Sequence, residues 1–158
     1  KKTPHEYYEL PRTQFLTQCS TPHTLGAIIE NQSTRFRLFA PRAETVDVVF
    51  SRFVDMSNAS VVAMRCIDGV TWQADIAEDL SGAYYHYRLA GRSNDHTAHF
   101  DRNFPILDPY AKACVCHRGP GIVLAPDRLQ APPSDFKPPA MQDLVIRCTL
   151  FFVHLVLQ

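Results

Sequence analysis

The chain has 158 residues, 46% of them apolar and 20% charged, a size and balance that suit one compact domain with short extensions and exclude wholesale disorder. Sixteen Lys and Arg balance sixteen Asp and Glu, so no basic field exists to draw nucleic acid or an acidic membrane surface. Five cysteines is an odd count that rules out a fully paired disulfide framework within one chain. Free thiols in a reducing cytoplasm are the expectation, with an extracellular location as the alternative.

Residues 1–24 read as an N-terminal extension. Lys1 to Ser20 contains Glu6, Glu9 and Arg12 and lacks the apolar run of a secretory signal. Between Ala27 and Val123 short alternating runs predict antiparallel strands with one buried face. Thr34 to Ala40 puts Phe36 and Leu38 on one face and Arg35 and Arg37 on the other. Val46 to Arg52 sets Val46, Val48 and Phe50 against Asp47, Val49 and Ser51. Ala59 to Arg65 is apolar on both faces, which predicts a more central strand. Val70 to Ile76 groups Trp72, Ala74 and Ile76. Ala83 to Leu89 turns Ala83, Tyr85, Tyr87 and Leu89 inward and Tyr84, His86 and Arg88 outward.

Turn chemistry falls between these runs. Pro41 forbids a continuing central strand, Asp68-Gly69 is a hairpin signal, and Ser81-Gly82 and Ala90-Gly91 mark further turns. Nothing in this stretch sustains a helical stripe. An all-β, immunoglobulin-like β-sandwich over residues 25–118 is the fold expected.

Prolines and glycines crowd residues 119–142, which read as a semi-extended linker. Residues 143–158 form a short apolar tail, LVIRCTLFFVHLVL over 144–157, too short for a membrane span. Exposed, such a β-prone and nearly uncharged tail is an aggregation hazard. No membrane span is expected.

Chemistry-bearing motifs are few. His96, His99, Cys114, Cys116 and His117 lack the ligand spacing of closed zinc sites, so no metal and no cofactor are expected. G-x-S-x-G and the phosphate-cradling G-x-x-x-x-G-K-[ST] are both missing. Asp47, Asp75, Glu78 and Asp79 sit on outer faces or turns, where solvated carboxylates are the default, so no catalytic residue is assigned. The aromatics say more. A flat ring can stack on the apolar face of glucose while rim groups bond its hydroxyls. Trp72, Tyr84, His86 and Arg88 are therefore the candidate carbohydrate-binding residues. Period two makes Trp72, Tyr85 and Tyr87 candidates for the sandwich core as well, and Tyr84 has the outward phase.

The ordered series Leu25-Gly26-Ala27, Phe36-Arg37-Leu38-Phe39-Ala40-Pro41 and Val46-Asp47-Val48-Val49-Phe50 resembles the opening of a known module. Trp72, then Gly82-Ala83-Tyr84-Tyr85-His86-Tyr87-Arg88-Leu89, Asp108-Pro109-Tyr110-Ala111-Lys112-Ala113 and Arg118-Gly119-Pro120-Gly121 continue the match. That module is the N-terminal β-sandwich of type I pullulanases, carbohydrate-binding module family 48 or the isoamylase N-terminal domain. The resemblance runs over roughly residues 25–146. It implies weak binding of an α-glucan such as glycogen, pullulan or starch. It also implies a parent hydrolase of glycoside hydrolase family 13 that cuts α-1,6 linkages.

In that family a catalytic barrel of about 250 residues follows. Gln142-Asp143-Leu144-Val145-Ile146 is similar to its first strand, and after Ile146 the pattern stops. The expectation is a truncated front module without the barrel, inactive on its own, since no counterpart of the family's catalytic carboxylates is found. The alternative is an immunoglobulin-like protein–protein interaction module that binds no sugar. An intact enzyme with an unfamiliar site is the third reading.

Overall fold

A computed structural model describes residues 19–92, 100–125 and 134–135. Residues 1–18 of the expected extension, the pair His96 and His99, most of the expected linker and the whole apolar tail lie outside the described residues.

Among the described residues nine strands form two antiparallel sheets. The first sheet takes β1 (Gly26–Glu30), β2 (Ser33–Phe39), β6 (Thr71–Ile76) and β5 (Arg65–Cys66), ordered β1-β2-β6-β5. The second takes β3 (Thr45–Ser51), β4 (Ser60–Ala63), β7 (Tyr84–Ala90), β8 (Ala113–Cys114) and β9 (Gly121–Ile122), ordered β4-β3-β7-β9-β8. No described helix is long and apolar enough to cross a membrane.

Period-two alternation builds the core. Phe36, Leu38, Trp72 and Ala74 from the first sheet meet Val46, Val48, Tyr85, Tyr87 and Leu89 from the second. The Phe36 and Tyr85 rings lie 5.0 Å apart at 53°, and Tyr85 meets Tyr87 edge-on at 5.9 Å, geometries that the ring quadrupoles favour. Aromatic bulk crossing from both sheets is what keeps them in register face to face.

Polar clamps hold the ends of the sandwich. Thr34 is fully buried; its hydroxyl donates to the Glu78 carbonyl and accepts from the Leu80 N–H, both at 2.9 Å. Asp68 ties the N-terminal segment to the β5–β6 hairpin by accepting from Thr21 Oγ1, Thr71 Oγ1 and the Val70 and Thr71 N–H groups. Burial alone would raise this carboxyl, but those hydrogen bonds together hold it below the usual carboxylate range. Gly26 has φ +96°, and a Cβ there would stand 3.0 Å from the Tyr110 carbonyl oxygen. Only glycine lets β1 run this close to the segment leaving the sandwich.

Two expectations need correction. Ala59–Arg65 is not central: β4 is an edge strand, with Val61 55% exposed. Nor does the sandwich end at residue 118. β9 pairs with the start of β7, and Val123 is fully buried, its N–H donating to the Ala83 carbonyl at 2.9 Å. Gly121 makes this possible, because a Cβ there would come within 3.0 Å of the Tyr85 ring. Glycine next to proline here marks a close backbone approach to the core, not the start of a linker.

Candidate functional site

The two sheets differ on their outer faces. The four-stranded sheet presents a polar surface, where Arg35 donates to Asp75 at 2.6 Å and Arg37 to Gln73 at 2.7 Å. The five-stranded sheet does not. Asp47, Val49 and Ser51 point outward from β3 opposite Arg88, His86 and Tyr84 of β7, yet Asp47, Val49, Ser51 and His86 are all buried. Loops from three parts of the chain cover this face.

Each loop has a local cause. In the β3–β4 loop the Ser51 hydroxyl donates to the Ser57 carbonyl at 2.6 Å and accepts from the Phe53 N–H at 3.0 Å. Met56 and Asn58 sit in the left-handed region at φ 59° and 51°, which folds the loop back over the sheet. In the segment before Asp108, Tyr87 and Ile106 exchange both backbone hydrogen bonds at 2.9 Å. Ile106 packs against the core, so its neighbours Pro105 and Leu107 fall on the outer side. Arg102 fastens the same segment by an ion pair to Asp47 at 2.7 Å. In the β8–β9 turn the Gly119 N–H donates to the Cys116 carbonyl and the Val115 N–H to the Pro120 carbonyl.

Where the three loops meet lies a depression of about 250 Å³, lined by Met56, His86, Pro105, Leu107, Arg118, Gly119 and Pro120. Met56, Pro105, Leu107 and Pro120 give it apolar walls. His86 and Arg118 are its polar side chains. His86 is 7% exposed, and its Nε2 has no hydrogen-bond partner. Burial, and after it the Arg88 guanidinium, push this imidazole below its usual value, so it is neutral at pH 7. Arg88, two residues along the same face, has a buried Nε–H without an acceptor. Buried polar atoms normally find partners, and exceptions ask for an explanation.

Of the four candidate binding residues, the structure brings Tyr84, His86 and Arg88 to this outer face and places Trp72 elsewhere. Trp72 lies on the inward face of β6 in the opposite sheet, 8% exposed, and its Nε1–H donates to the Ala40 carbonyl at 3.0 Å. It is a core residue, as its period-two neighbour Ala74 and its cross-strand partner Leu38 are. Sequence reasoning missed Met56, Leu107 and Arg118. Arg118 had a signal in the Arg-Gly-Pro-Gly turn; Met56 and Leu107 had none, because contacts distant in sequence bring them to the rim. Among the described residues, no carboxylate and no nucleophilic hydroxyl or thiol lines the depression.

Residues 24–111 match the family model described as Carbohydrate-binding module 48 (Isoamylase N-terminal domain). Among solved structures, the pullulanase from Paenibacillus barengoltzii complexed with maltohexaose and alpha-cyclodextrin is 30% identical, with 67% of this chain and 15% of that chain covered and a TM-score of 0.55. The apo form of that enzyme is 30% identical over 77% of this chain and 18% of that chain, with a TM-score of 0.59. The pullulanase from Bacillus acidopullulyticus, 24% identical over 68% of this chain and 12% of that chain with a TM-score of 0.56, shows likeness of fold. The chain spans less than one fifth of the length of these enzymes. Curated proteins yield no match to it. With a two-sheet sandwich in place and more than half of its length inside the family match, the chain belongs to the carbohydrate-binding module 48, or isoamylase N-terminal domain, family.

Proposed function

We propose that this chain is the α-glucan-binding module of a pullulanase-type hydrolase acting on α-1,6 linkages, and that the depression at His86 is its sugar site. One observation carries the reading: an apolar-walled depression on the outer face of the five-stranded sheet, with His86 and Arg118 as its polar side chains, in a chain of the carbohydrate-binding module 48 family. Apolar walls suit the C–H faces of a glucose ring, and the exposed Arg118 guanidinium at the rim can donate hydrogen bonds to its hydroxyls. Tyr84 and Arg88 flank His86 on β7. The site offers few polar groups, which matches weak binding of glycogen, pullulan or starch. Free, exposed thiols at Cys66, Cys114 and Cys116 support a reducing, cytoplasmic setting. A protein-docking role is the second reading, favoured by the exposure of Phe53, Val54 and Phe104.

Affinity electrophoresis of the 158-residue chain through glycogen-containing gels tests the first reading. The chain should be retarded, and His86→Ala, which removes part of the depression's lining, should weaken retardation by up to about tenfold in apparent Kd, the scale of one lost ring contact. Unretarded migration of the unsubstituted chain contradicts it.

A further inference from the structure

Three large apolar side chains that the fold leaves exposed, Phe53, Val54 and Val61, lie on β4 or on the loop leading into it. β4 is one edge of the five-stranded sheet, and its free side can be assigned group by group. Val46 and Met64 stand one step beyond the Asp47–Ala63 pair, and the Met64 N–H donates to the Val46 carbonyl at 2.8 Å. Antiparallel pairs alternate between hydrogen-bonded and non-bonded. Ser60 and Val62 therefore bond to β3, while Val61 and Ala63 turn their N–H and C=O groups to the open edge. Sheet edges are commonly guarded by charge, proline or a bulge, yet Asn58 to Met64 contains no charged residue and no proline. The other edges are shorter or charged: β5 and β8 span two residues each, and β1 ends on Glu30.

This edge is complementary to itself. A two-fold axis through Val61, perpendicular to the sheet, sets Val61 against its own counterpart and Ala63 against the counterpart of Ala59. Each free donor then faces a free acceptor, for about six hydrogen bonds in all. Val61 shares the outer face with Val49 directly opposite, so the two Val61 side chains also pack. The same axis brings the end of one β4 preceded by Asp55 to the end of the other followed by Arg65, whose side chain is 69% exposed. Opposite charges thus meet twice, and zero net charge leaves no general repulsion between copies.

We propose that a second copy of this chain docks on β4, giving a symmetric dimer in which two five-stranded sheets join into one continuous sheet. Both outer faces then lie on the same side. The inference is independent of the glucan reading. A four-residue strand with three apolar side chains falls short of the roughly 1,200 Å² of a standard interface, so the dimer is weak and concentration-dependent.

Sedimentation equilibrium of the 158-residue chain from about 5 to 500 µM tests it. The weight-average mass should rise from that of one chain toward that of two and stop there. Val61→Lys sets like charges against each other at the axis, and Ala63→Pro removes a donor that points away from β3. Each should weaken association by at least about tenfold. Val115→Lys, beside β8 at the opposite edge of the same sheet, should leave it unchanged. A single-chain mass at every concentration overturns the inference. So does growth beyond two copies, because a two-fold pairing closes on itself. Association that survives either β4 variant, or that Val115→Lys abolishes, overturns its assignment to this edge.

Discussion

Asp108→Ala is expected to lower the unfolding free energy by about 3–5 kcal/mol. Asp108 is 2% exposed. Its Oδ2 accepts from the Tyr85 hydroxyl at 2.8 Å and the Tyr87 hydroxyl at 3.2 Å, and its Oδ1 accepts from the Tyr110 N–H at 2.8 Å. Alanine leaves two phenol hydroxyls buried without an acceptor and frees the segment that closes the sandwich after Ile106. A domain of this size has about 5–15 kcal/mol to lose, so the variant sits near the edge of folding.

Burial raises the Asp108 carboxyl above its usual value, and the three hydrogen bonds offset that only in part. A carboxyl raised in the folded state contributes stability that is full below its unfolded value and is lost as pH rises through the folded one. The stability gap between the unsubstituted chain and Asp108→Ala should therefore be widest near pH 4 and narrow toward pH 8. Urea unfolding across that range measures it, and a gap that widens with pH contradicts the assignment. Asp68, held low, works in the opposite direction in both proteins and cancels in the comparison.

Trp72→Ala is expected to cost about 3–5 kcal/mol through the cavity it opens between the sheets. Trp72→Phe fills most of that space but leaves the Ala40 carbonyl without its indole donor, a loss of about 1–2 kcal/mol. Because Trp72 faces the core from the sheet opposite β7, Trp72→Phe should be retarded in glycogen gels as strongly as the unsubstituted chain. Denaturant unfolding and gel mobility of the one variant separate the two roles of this residue. A stable Trp72→Phe that has lost its retardation places the indole on the sugar after all.

The strands that alternate cleanly are the ones legible before any coordinates. In β2, β6 and β7 each inward residue alternates with a polar or half-polar one, and the structure keeps those phases. β1 was not legible because Ala27-Ile28-Ile29 does not alternate. β5, β8 and β9 span two residues each, too few for any period to register. Ala59–Arg65 misled for a physical reason: apolar residues on both faces mark a central strand only if something covers both, and at the edge Val61 is left in solvent.

Half of the site was legible in the same way. The outward phase of Tyr84, His86 and Arg88 follows from period two. The burial of His86 does not, because it depends on three loops that converge from residues 51–58, 101–107 and 116–120. Such convergence is a property of tertiary folding, and it is what turns an ordinary outer sheet face into a depression with an unpartnered imidazole. Trp72 shows the converse. An aromatic chosen for its chemistry alone went to the core, where its N–H found a backbone carbonyl.

We propose the outer face of the five-stranded sheet, at His86, as the place where this module meets sugar. Amide-resolved NMR of the 158-residue chain titrated with maltohexaose measures it most directly. Shifts concentrated at Met56, His86, Leu107 and Gly119, with Arg35, Arg37 and Gln73 of the opposite outer face unmoved, are the result predicted. Shifts centred on that opposite face, or none at saturating sugar, would contradict it.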